Sequence, residues 1–418
     1  MSSYMIEGAQ RLYGSAEIHG AKNSALPILA ASIVCRGVNV IHNCPELTDI
    51  DATVNILKHL GCNVSREGHT VTVDSTSISE NSIPDALMRE MRSSVIFLGA
   101  ILSRTGEVSL STPGGCEIGL RPIDIHLDGI EKLGAEVDAE FGVVKCKRNG
   151  KLHGTKINLS FPSVGATENI MIAASTAEGT TVITNAAREP EISDLADFLN
   201  RGGAHIAGAG ESTVVIDGVD GLHGAEHTVI PDRIVAASYL AAAACTGGRV
   251  ELSDVIPAHL EPVLNVFEES GCKVDVKGRH ITLSAPVRLK SVKMIRTMPY
   301  PGFPTDIQAP VAAMLTSAAG TSIIVETIFE SRYKYIGELV RFGAKISVDG
   351  RMAVIEGVPS LHGATVVSPD LRGGMALIIA GLAAEGTTVV SDDGHIERGY
   401  ESPERVLSRL NAKIQRTD

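Results

Sequence analysis

The segment Ile170-Met-Ile-Ala-Ala-Ser-Thr-Ala-Glu-Gly-Thr-Thr-Val-Ile183 joins an apolar, Ala-rich helix pattern to a turn of small residues and then to a strand pattern. A second copy begins at Ala376 and reads Ala-Leu-Ile-Ile-Ala-Gly-Leu-Ala-Ala-Glu-Gly-Thr-Thr-Val-Val. A helix that is apolar on nearly every side must be buried. The two copies therefore predict buried helices, each leading through a tight turn into a strand.

A short motif, usually Gly-Ala or Gly-Cys, shows that this unit is repeated six times. The motif recurs at intervals of 68 to 73 residues, beginning at Gly61, Gly134, Gly203, Gly271, Gly343 and Asn411. An amphipathic helix pattern precedes each motif, and we expect the Gly or Asn to end that helix in a left-handed conformation. After each of the first five motifs, two short alternating segments predict a pair of strands. A period this long, with helices and strands in every copy, indicates a packing module and not a solenoid turn.

Six modules predict an α/β protein with two domains of three modules each. The chain of 418 residues is long enough for two or three domains. The boundary should lie near residues 225–232, between the strands of the third module and the Ala-rich helix of the fourth. Residues 1–21 carry short strand patterns of their own and could pair with either half.

Composition limits the classes of function. The formal net charge of −12 disfavours non-specific binding to nucleic acid or to an anionic membrane. No apolar run approaches the roughly 18 to 20 residues of a membrane span, and the N-terminus lacks a signal-peptide pattern. The seven cysteines include no CxxC pair, which fits neither a disulfide framework nor a zinc site. We therefore expect a cytoplasmic protein with reduced thiols.

Short polar clusters precede the six Ala-rich helices. They are Lys22-Asn23, Arg89-Glu-Met-Arg92, Ser163-Val-Gly165-Ala-Thr167, Pro231-Asp-Arg233, Pro304-Thr-Asp306 and Pro369-Asp-Leu-Arg372. Helix N-termini carry unpaired N–H groups and partial positive charge, so several of them facing one cleft would suit phosphate or carboxylate ligands. Helix capping alone could explain Asp232, but Lys22 opposes the helix dipole and needs another reason to be there.

Cys116 and Asp306 are the strongest candidates for chemistry. Cys116 lies in the Gly-rich stretch Ser111-Thr-Pro-Gly-Gly-Cys-Glu-Ile-Gly-Leu-Arg-Pro, where the nearby Arg121 could stabilise a thiolate. The other six cysteines fall mainly at small-residue or strand positions, as structural cysteines do. Asp306, at a helix start in a Pro-rich loop, is either a cap or a general base. Arg332 and Arg398 lie in loops, where either alone could be a solvated surface residue.

These motifs together resemble the UDP-N-acetylglucosamine 1-carboxyvinyltransferase (enolpyruvyl transferase) family over the whole chain. The matching stretches are Gly20-Ala-Lys-Asn-Ser-Ala-Leu-Pro, Pro113-Gly-Gly-Cys-Glu-Ile-Gly-Leu-Arg-Pro-Ile-Asp, Asn185-Ala-Ala-Arg-Glu-Pro-Glu-Ile, Phe303-Pro-Thr-Asp-Ile-Gln and Ile396-Glu-Arg-Gly-Tyr-Glu. The resemblance implies a two-domain inside-out α/β barrel built from six repeated units. It assigns residues 22–229 to the first domain and residues 1–21 with 230–418 to the second, with the active site in the cleft between them.

The resemblance also implies roles for individual residues. Asp306 would take the proton from the sugar 3-hydroxyl, and Cys116 would act in acid–base chemistry at the enolpyruvyl carbons, form a covalent adduct there and be alkylated by fosfomycin. Lys22, Arg121 and Arg398 would hold the phosphate of phosphoenolpyruvate, and Arg332 and Arg372 would help with its carboxylate. The positions that match the UDP-sugar site are Asn23, Arg92, Arg121, Pro122, Ile123, Asp124, Ser163, Val164, Gly165, Thr305 and Ile328.

The activity implied by the resemblance is transfer of the enolpyruvyl group of phosphoenolpyruvate to UDP-N-acetylglucosamine, the first committed step of peptidoglycan synthesis. Neither a metal nor an organic cofactor is expected, and the resemblance names no protein partner. Two alternatives stay open. The homologous shikimate-pathway transferase lacks the Pro-Gly-Gly-Cys and Asn-Ala-Ala-Arg-Glu-Pro motifs, and a silent UDP-sugar-binding paralogue should have lost Lys22, Cys116 or Asp306.

Overall fold

The computed structural model describes residues 2–91, 94–111 and 123–417, and within them the chain divides into two compact units. The N-terminal unit comprises the described residues between 20 and 230, and the C-terminal unit comprises residues 2–19 and 231–417. The chain passes from one unit to the other after His19 and after Ile230. Next to these points Ala21 N–H donates to the Ile230 carbonyl in the N-terminal unit, and Asp232 N–H donates to the His19 carbonyl in the C-terminal unit. The crossings lie one or two residues from the expected boundaries at 21/22 and 229/230.

The described residues contain thirteen α-helices. In chain order they are α1 Lys22–Ala31, α2 Thr48–His59, α3 Asp85–Glu90, α4 Phe97–Thr105, α5 Asp124–Lys132, α6 Val164–Ala174, α7 Pro190–Arg201, α8 Arg233–Cys245, α9 Glu261–Glu269, α10 Thr305–Leu315, α11 Ile336–Arg341, α12 Leu371–Ala383 and α13 Pro403–Arg409. No helix among them is both long and apolar enough to span a membrane.

The six Ala-rich patterns form the buried helices α1, α4, α6, α8, α10 and α12. In the C-terminal unit α8, α10 and α12 pack against one another, and in the N-terminal unit α4 packs against α1 and α6. Every residue of α8 after Arg233 is buried, which confirms the prediction from its apolar circumference. Their small side chains allow the helices to approach closely at the centre of each unit.

The amphipathic patterns form α2, α5, α7, α9, α11 and α13, and each ends as the sequence predicts. The residues that follow them all have left-handed backbone angles, with φ from 70° at Asn411 to 101° at Gly61. Glycine adopts this region without a steric penalty, and asparagine tolerates it better than most residues. The left-handed ending is therefore confirmed in all six modules.

The strands form one four-stranded sheet in each module, apart from Cys35–Arg36 and Leu222–His223, which pair in parallel as a separate two-stranded sheet. In chain order they are β1 Ser2–Glu7, β2 Tyr13–Glu17, β3 Cys35–Arg36, β4 Val38–His42, β5 Asn63–Glu67, β6 Thr70–Asp74, β7 Ser82–Ile83, β8 Glu107–Ser111, β9 Ala135–Glu140, β10 Val143–Arg148, β11 Lys156–Asn158, β12 Thr180–Thr184, β13 His205–Ala207, β14 Thr213–Asp217, β15 Leu222–His223, β16 Glu226–Thr228, β17 Arg249–Ser253, β18 Lys273–Lys277, β19 His280–Ser284, β20 Ile295–Arg296, β21 Thr321–Val325, β22 Lys345–Asp349, β23 Met352–Glu356, β24 Thr365–Val367, β25 Thr387–Asp392 and β26 Lys413–Thr417.

All six four-stranded sheets share one topology. The orders are β16-β4-β6-β5, β7-β8-β10-β9 and β11-β12-β14-β13 in the N-terminal unit, and β20-β21-β23-β22, β24-β25-β1-β26 and β18-β19-β17-β2 in the C-terminal unit. Each sheet has one parallel and two antiparallel pairings. With buried helices inside and half-buried sheets around them, each unit is an inside-out α/β barrel.

The N-terminal residues complete two sheets of the C-terminal unit. Strand β1 lies between β25 and β26 and is antiparallel to both, with Tyr4 opposite Val390 and Arg416. Strand β2 runs parallel to β17, with Ala16 opposite Leu252. The start of the chain therefore pairs with its C-terminal half.

Close backbone contacts with the turn after an Ala-rich helix require glycine at two positions. Gly218 and Gly357 follow equivalent strands, β14 and β23, and the Cα of each lies against the backbone of the helix turn below it. A Cβ on Gly218 would lie 1.9 Å from the Ala177 carbonyl oxygen, and one on Gly357 would lie 1.6 Å from that of Ala318. No side chain fits at such distances without moving the backbone.

Replacement of Gly357 by alanine should therefore destabilise the C-terminal unit. We expect the Gly357→Ala change to lower the free energy of unfolding by at least about 2 kcal/mol, because overpacking against backbone forces a main-chain shift. Urea unfolding followed by circular dichroism measures this. Gly337→Ala is the matched control, since a Cβ there meets no atom within 4 Å and the residue lies in α11. Equal unfolding midpoints for the two variants would contradict the explanation.

Candidate active site

Five of the six polar clusters lie at the N-termini of the Ala-rich helices, and several of their residues are caps; Arg89 and Glu90 instead end α3, well before α4 begins at Phe97. The Asp232 carboxylate accepts hydrogen bonds from Ile234 and Val235 N–H, and Ser163 Oγ accepts one from Ala166 N–H. Asp370 caps α12 in the same way through two backbone N–H groups. Capping is thus confirmed for Asp232, whereas Asp306 makes different contacts.

Asp306 lies between two buried arginines. Its Oδ1 accepts a hydrogen bond of 2.6 Å from Arg332, and its Oδ2 lies 3.3 Å from the Arg372 guanidinium. Both arginine side chains are only 3% exposed, whereas Asp306 is 28% exposed. Two guanidiniums share one carboxylate, so the three side chains together carry a net positive charge. The Asp306 carboxylate stays accessible.

The two arginines keep hydrogen-bonding capacity. The Nε atoms of Arg332 and Arg372 are buried and have no acceptor among the described residues. Burial by itself lowers the pKa of Arg372, but Tyr400, Asp306 and Asp232 favour its charged form, so the net shift is upward. The Tyr400 ring centroid lies 5.3 Å from the Arg372 guanidinium carbon. Buried donors without acceptors are rare in proteins, and these donors are available to an anionic ligand.

Glu326 is a functional candidate that the sequence did not reveal. It follows β21, is 1% exposed, and accepts hydrogen bonds from Thr305 Oγ1 and from Ile328 and Phe329 N–H, all between 2.8 and 3.1 Å. Thr305 precedes Asp306 in α10, and Ile328 begins the loop that reaches Arg332. One buried carboxylate therefore joins the two segments that carry the Asp306 and Arg332 side chains.

Lys22 begins α1 in the N-terminal unit and is 8% exposed. Its Nζ lies 3.1 Å from Asp49 Oδ2 in the first turn of α2, and Asp49 is 2% exposed. Asn23 follows it and is half-buried. The ion pair offsets the cost of burying a cation at the positive end of a helix. Asp49 is a second residue that sequence reasoning missed, because its pairing depends on how α1 packs against α2.

Two further groups of predicted site residues lie at neighbouring helix starts in the N-terminal unit. Ile123 and Asp124 begin α5, and Ser163, Val164 and Gly165 begin α6. A Cβ on Gly165 would lie 3.0 Å from the His126 ring, so the glycine lets the two helices meet. Burial lowers the pKa of His126 to about 4, and its Nδ1 lies 2.8 Å from the Asn169 amide. The His126 imidazole that packs against Gly165 is therefore neutral.

The predicted site residues divide between the two units. Lys22, Asn23, Ile123, Asp124 and Ser163 to Gly165 belong to the N-terminal unit, and Thr305, Asp306, Ile328, Arg332, Arg372 and Arg398 belong to the C-terminal unit. Arg398 ends a short 3-10 helix, Ile396–Arg398, and is half-buried. Arg92, Cys116, Arg121 and Pro122 lie outside the described residues, so their roles stay predictions.

The six cysteines other than Cys116 are buried and unpaired by disulfides. Burial raises the pKa of Cys62 to about 11 and those of Cys35, Cys146 and Cys245 to about 12, and it also raises the pKa of Cys272. Because the thiolate is the nucleophile, these thiols are poor ones at neutral pH.

Thiol labelling should therefore distinguish Cys116 from the rest. At pH 8 we expect the native protein to react rapidly with iodoacetamide at Cys116 alone, because the six described thiols are buried. The Cys116→Ala variant should lose the rapid phase, and denaturation should expose the remaining cysteines. Rapid modification of one of those six in the native variant, located by peptide mass spectrometry, would contradict this assignment.

Comparison with known proteins places the chain among carboxyvinyltransferases. The EPSP synthase (3-phosphoshikimate 1-carboxyvinyltransferase) family matches residues 6–407. UDP-N-acetylglucosamine 1-carboxyvinyltransferase 2 of Caldanaerobacter subterraneus subsp. tengcongensis is 53% identical over 416 residues and covers 100% of both chains.

Solved structures match the fold over its full length. The enolpyruvyl transferase NikO of Streptomyces tendae has a TM-score of 0.89 and 25% identity and covers 100% of this chain and 99% of its own. EPSP synthase of Acinetobacter baumannii has a TM-score of 0.74 at 18% identity and covers 100% of both chains. The enolpyruvyl transferase fold predicted from the sequence is therefore confirmed.

Proposed function

This chain belongs to the UDP-N-acetylglucosamine 1-carboxyvinyltransferase family, and we propose that it transfers the enolpyruvyl group of phosphoenolpyruvate to the 3-hydroxyl of UDP-N-acetylglucosamine, releasing phosphate. The 53% sequence identity to an enzyme of that name, over the full length of both chains, carries this assignment. In this reaction the chain begins peptidoglycan synthesis. The shikimate-pathway enzyme shares the fold but much less sequence, and the catalytic candidates Lys22, Cys116 and Asp306 are all present, which disfavours a silent paralogue.

The buried arginines suit the carboxylate of phosphoenolpyruvate. Arg332 and Arg372 carry one more positive charge than Asp306 balances, and their Nε atoms lack acceptors. A carboxylate can accept two parallel hydrogen bonds from a guanidinium, which fixes its orientation as well as its position. Lys22, Arg121 and Arg398 are proposed for the phosphate, where cations stabilise the charge that develops as it leaves.

Asp306 is proposed as the base that removes the proton from the sugar 3-hydroxyl. In the absence of substrate, two guanidiniums stabilise its ionised form and weaken it as a base. A bound carboxylate would share those guanidiniums, so Asp306 would become more basic when phosphoenolpyruvate is present. Its partial exposure leaves the carboxylate accessible to a hydroxyl.

The proposed reaction has two steps. The deprotonated 3-oxygen attacks C2 of phosphoenolpyruvate while Cys116 gives a proton to C3, which forms a tetrahedral adduct. The Cys116 thiolate then takes a proton back from C3 as the C–O bond to phosphate breaks, which forms the enol ether. The proton held by Asp306 passes to the departing inorganic phosphate or to solvent. Addition followed by elimination leaves the overall oxidation level unchanged, so no external oxidant or reductant enters.

The proposed role has wider implications. From this role we expect a cytoplasmic location and a requirement for cell-wall growth, cell shape and division. We also expect fosfomycin to alkylate Cys116. UDP-N-acetylglucosamine and phosphoenolpyruvate are the proposed substrates, and Asn23, Arg92, Pro122, Thr305 and Ile328 are among the residues proposed to bind the UDP-sugar.

Phosphate release distinguishes the proposed function from its alternatives. We expect release from phosphoenolpyruvate to require UDP-N-acetylglucosamine and to fall at least about 100-fold in Asp306→Asn, because a general base commonly contributes that much. Shikimate 3-phosphate should not replace the sugar nucleotide. Release with shikimate 3-phosphate alone would favour the shikimate enzyme, and binding of UDP-N-acetylglucosamine without release would leave a silent paralogue.

Glu326 should act as a positioning residue for Asp306 and Arg332. We expect Glu326→Ala to lower kcat by about 100-fold, because a small displacement of reacting groups has effects of this size. Glu326→Gln keeps acceptor capacity and should restore much of the rate. Glu330→Ala is the control, since Glu330 is exposed and pairs with Arg351. A change in stability with kcat unaltered in Glu326→Ala would show a merely structural role.

A further inference from the structure

A cavity of about 240 Å³ lies in the N-terminal unit, at the C-terminal ends of its three buried helices. Val34 lies shortly after α1, Arg104 in the last turn of α4, and Thr176 shortly after α6, and all three line the cavity. The proposed substrate-binding residues Lys22 and Ser163 are at the opposite ends of α1 and α6. The cavity is therefore separate from the proposed active site.

The lining of this cavity, which we call the basic pocket, has unbalanced charge. Four cations, Arg36, Arg104, Arg148 and Lys151, line it with one carboxylate, Asp220. Asp220 is already paired with Lys151 at 2.6 Å. Within the part of the chain that the structure describes, none of the three arginines forms an ion pair with a carboxylate. In a protein with a net charge of −12, such a concentration of unpaired arginines needs an explanation.

Capping of helix C-termini explains only part of this arrangement. Arg148 donates to the Leu102 and Ser103 carbonyls at the end of α4, both at 3.2 Å, and these bonds favour a cation there. Arg104 uses one of its terminal nitrogens for two loop carbonyls. Arg36 is exposed and donates no side-chain hydrogen bond to a described residue. Capping therefore explains the position of Arg148 and some of the hydrogen bonds of Arg104. It does not explain the position of Arg36.

Arg36 and Arg104 line the same cavity, so their positive charges repel each other. Burial lowers the pKa of Arg104, and the positive charge of Arg36 lowers it further. An anion between the two guanidiniums would remove this repulsion and would use the N–H groups that capping leaves over. Arginine favours phosphate because its planar guanidinium matches two phosphate oxygens at once.

We propose that the basic pocket binds a small phosphorylated anion through Arg36 and Arg104. The volume is below the roughly 300 to 1,000 Å³ of pockets for drug-sized ligands, yet it exceeds the share of several waters, each about 30 Å³. The ligand is therefore a phosphate or diphosphate group on a small molecule, and not a nucleotide sugar. This site is independent of the proposed reaction.

Calorimetric titration with inorganic pyrophosphate at fixed ionic strength tests the proposal. We expect Arg36→Gln to weaken binding at least about tenfold, because a hydrogen bond between charged groups contributes that much. The double variant Arg36→Gln/Arg104→Gln should abolish binding in the basic pocket. Arg296→Gln, an exposed arginine of the C-terminal unit, and Lys22→Gln should both retain binding in the basic pocket.

The outcomes separate this site from the proposed substrate site. Unchanged pyrophosphate affinity in Arg36→Gln would overturn the proposal, and so would loss of binding in Lys22→Gln alone. Arg36 is exposed and makes no described side-chain hydrogen bond, so its variant should fold, which circular dichroism checks. Phosphate release from phosphoenolpyruvate by Arg36→Gln should match the wild type, whichever result the titration gives.

Discussion

A helix that is apolar on every side must be surrounded by protein, and this constraint shapes the whole chain. Each unit meets it by packing three Ala-rich helices at its centre, with sheets and amphipathic helices outside them. The apolar helix bodies leave their ends as the places where polar groups can gather. The N-terminal ends carry Lys22, Asp306 and Arg372, and the C-terminal ends of the N-terminal unit carry the arginines of the basic pocket. Many of the residues proposed for function therefore lie at or near helix ends.

Charge balance at Asp306 connects this fold to the proposed chemistry. Burial of Arg332 and Arg372 is tolerable because Asp306 offsets part of their charge, and Glu326 fixes the segments that hold the pair. The remaining positive charge and the free Nε donors are what an incoming carboxylate would use. Arg332 and Arg372 can therefore keep Asp306 ionised before substrate binds. A bound carboxylate that shares these arginines would then make Asp306 a stronger base.

The sequence predicted most of the fold because its signals are local and repeated six times. The left-handed residues from Gly61 to Asn411 and the fully apolar α8 depend only on neighbouring residues, so both predictions were correct. The site was only partly predictable from the residues themselves. Asp306 could be a cap or a base, and Glu326 and Asp49 gave no signal because their importance arises from contacts between distant segments. The family resemblance supplied roles that spacing could not.

The most direct test of the arginine site is a crystal structure of the Cys116→Ala variant with phosphoenolpyruvate and UDP-N-acetylglucosamine bound. The predicted result is a substrate carboxylate about 3 Å from the guanidinium nitrogens of Arg332 or Arg372, with Asp306 facing the sugar 3-hydroxyl. A phosphoenolpyruvate carboxylate bound away from both arginines, with their contacts to Asp306 unchanged, would contradict the account.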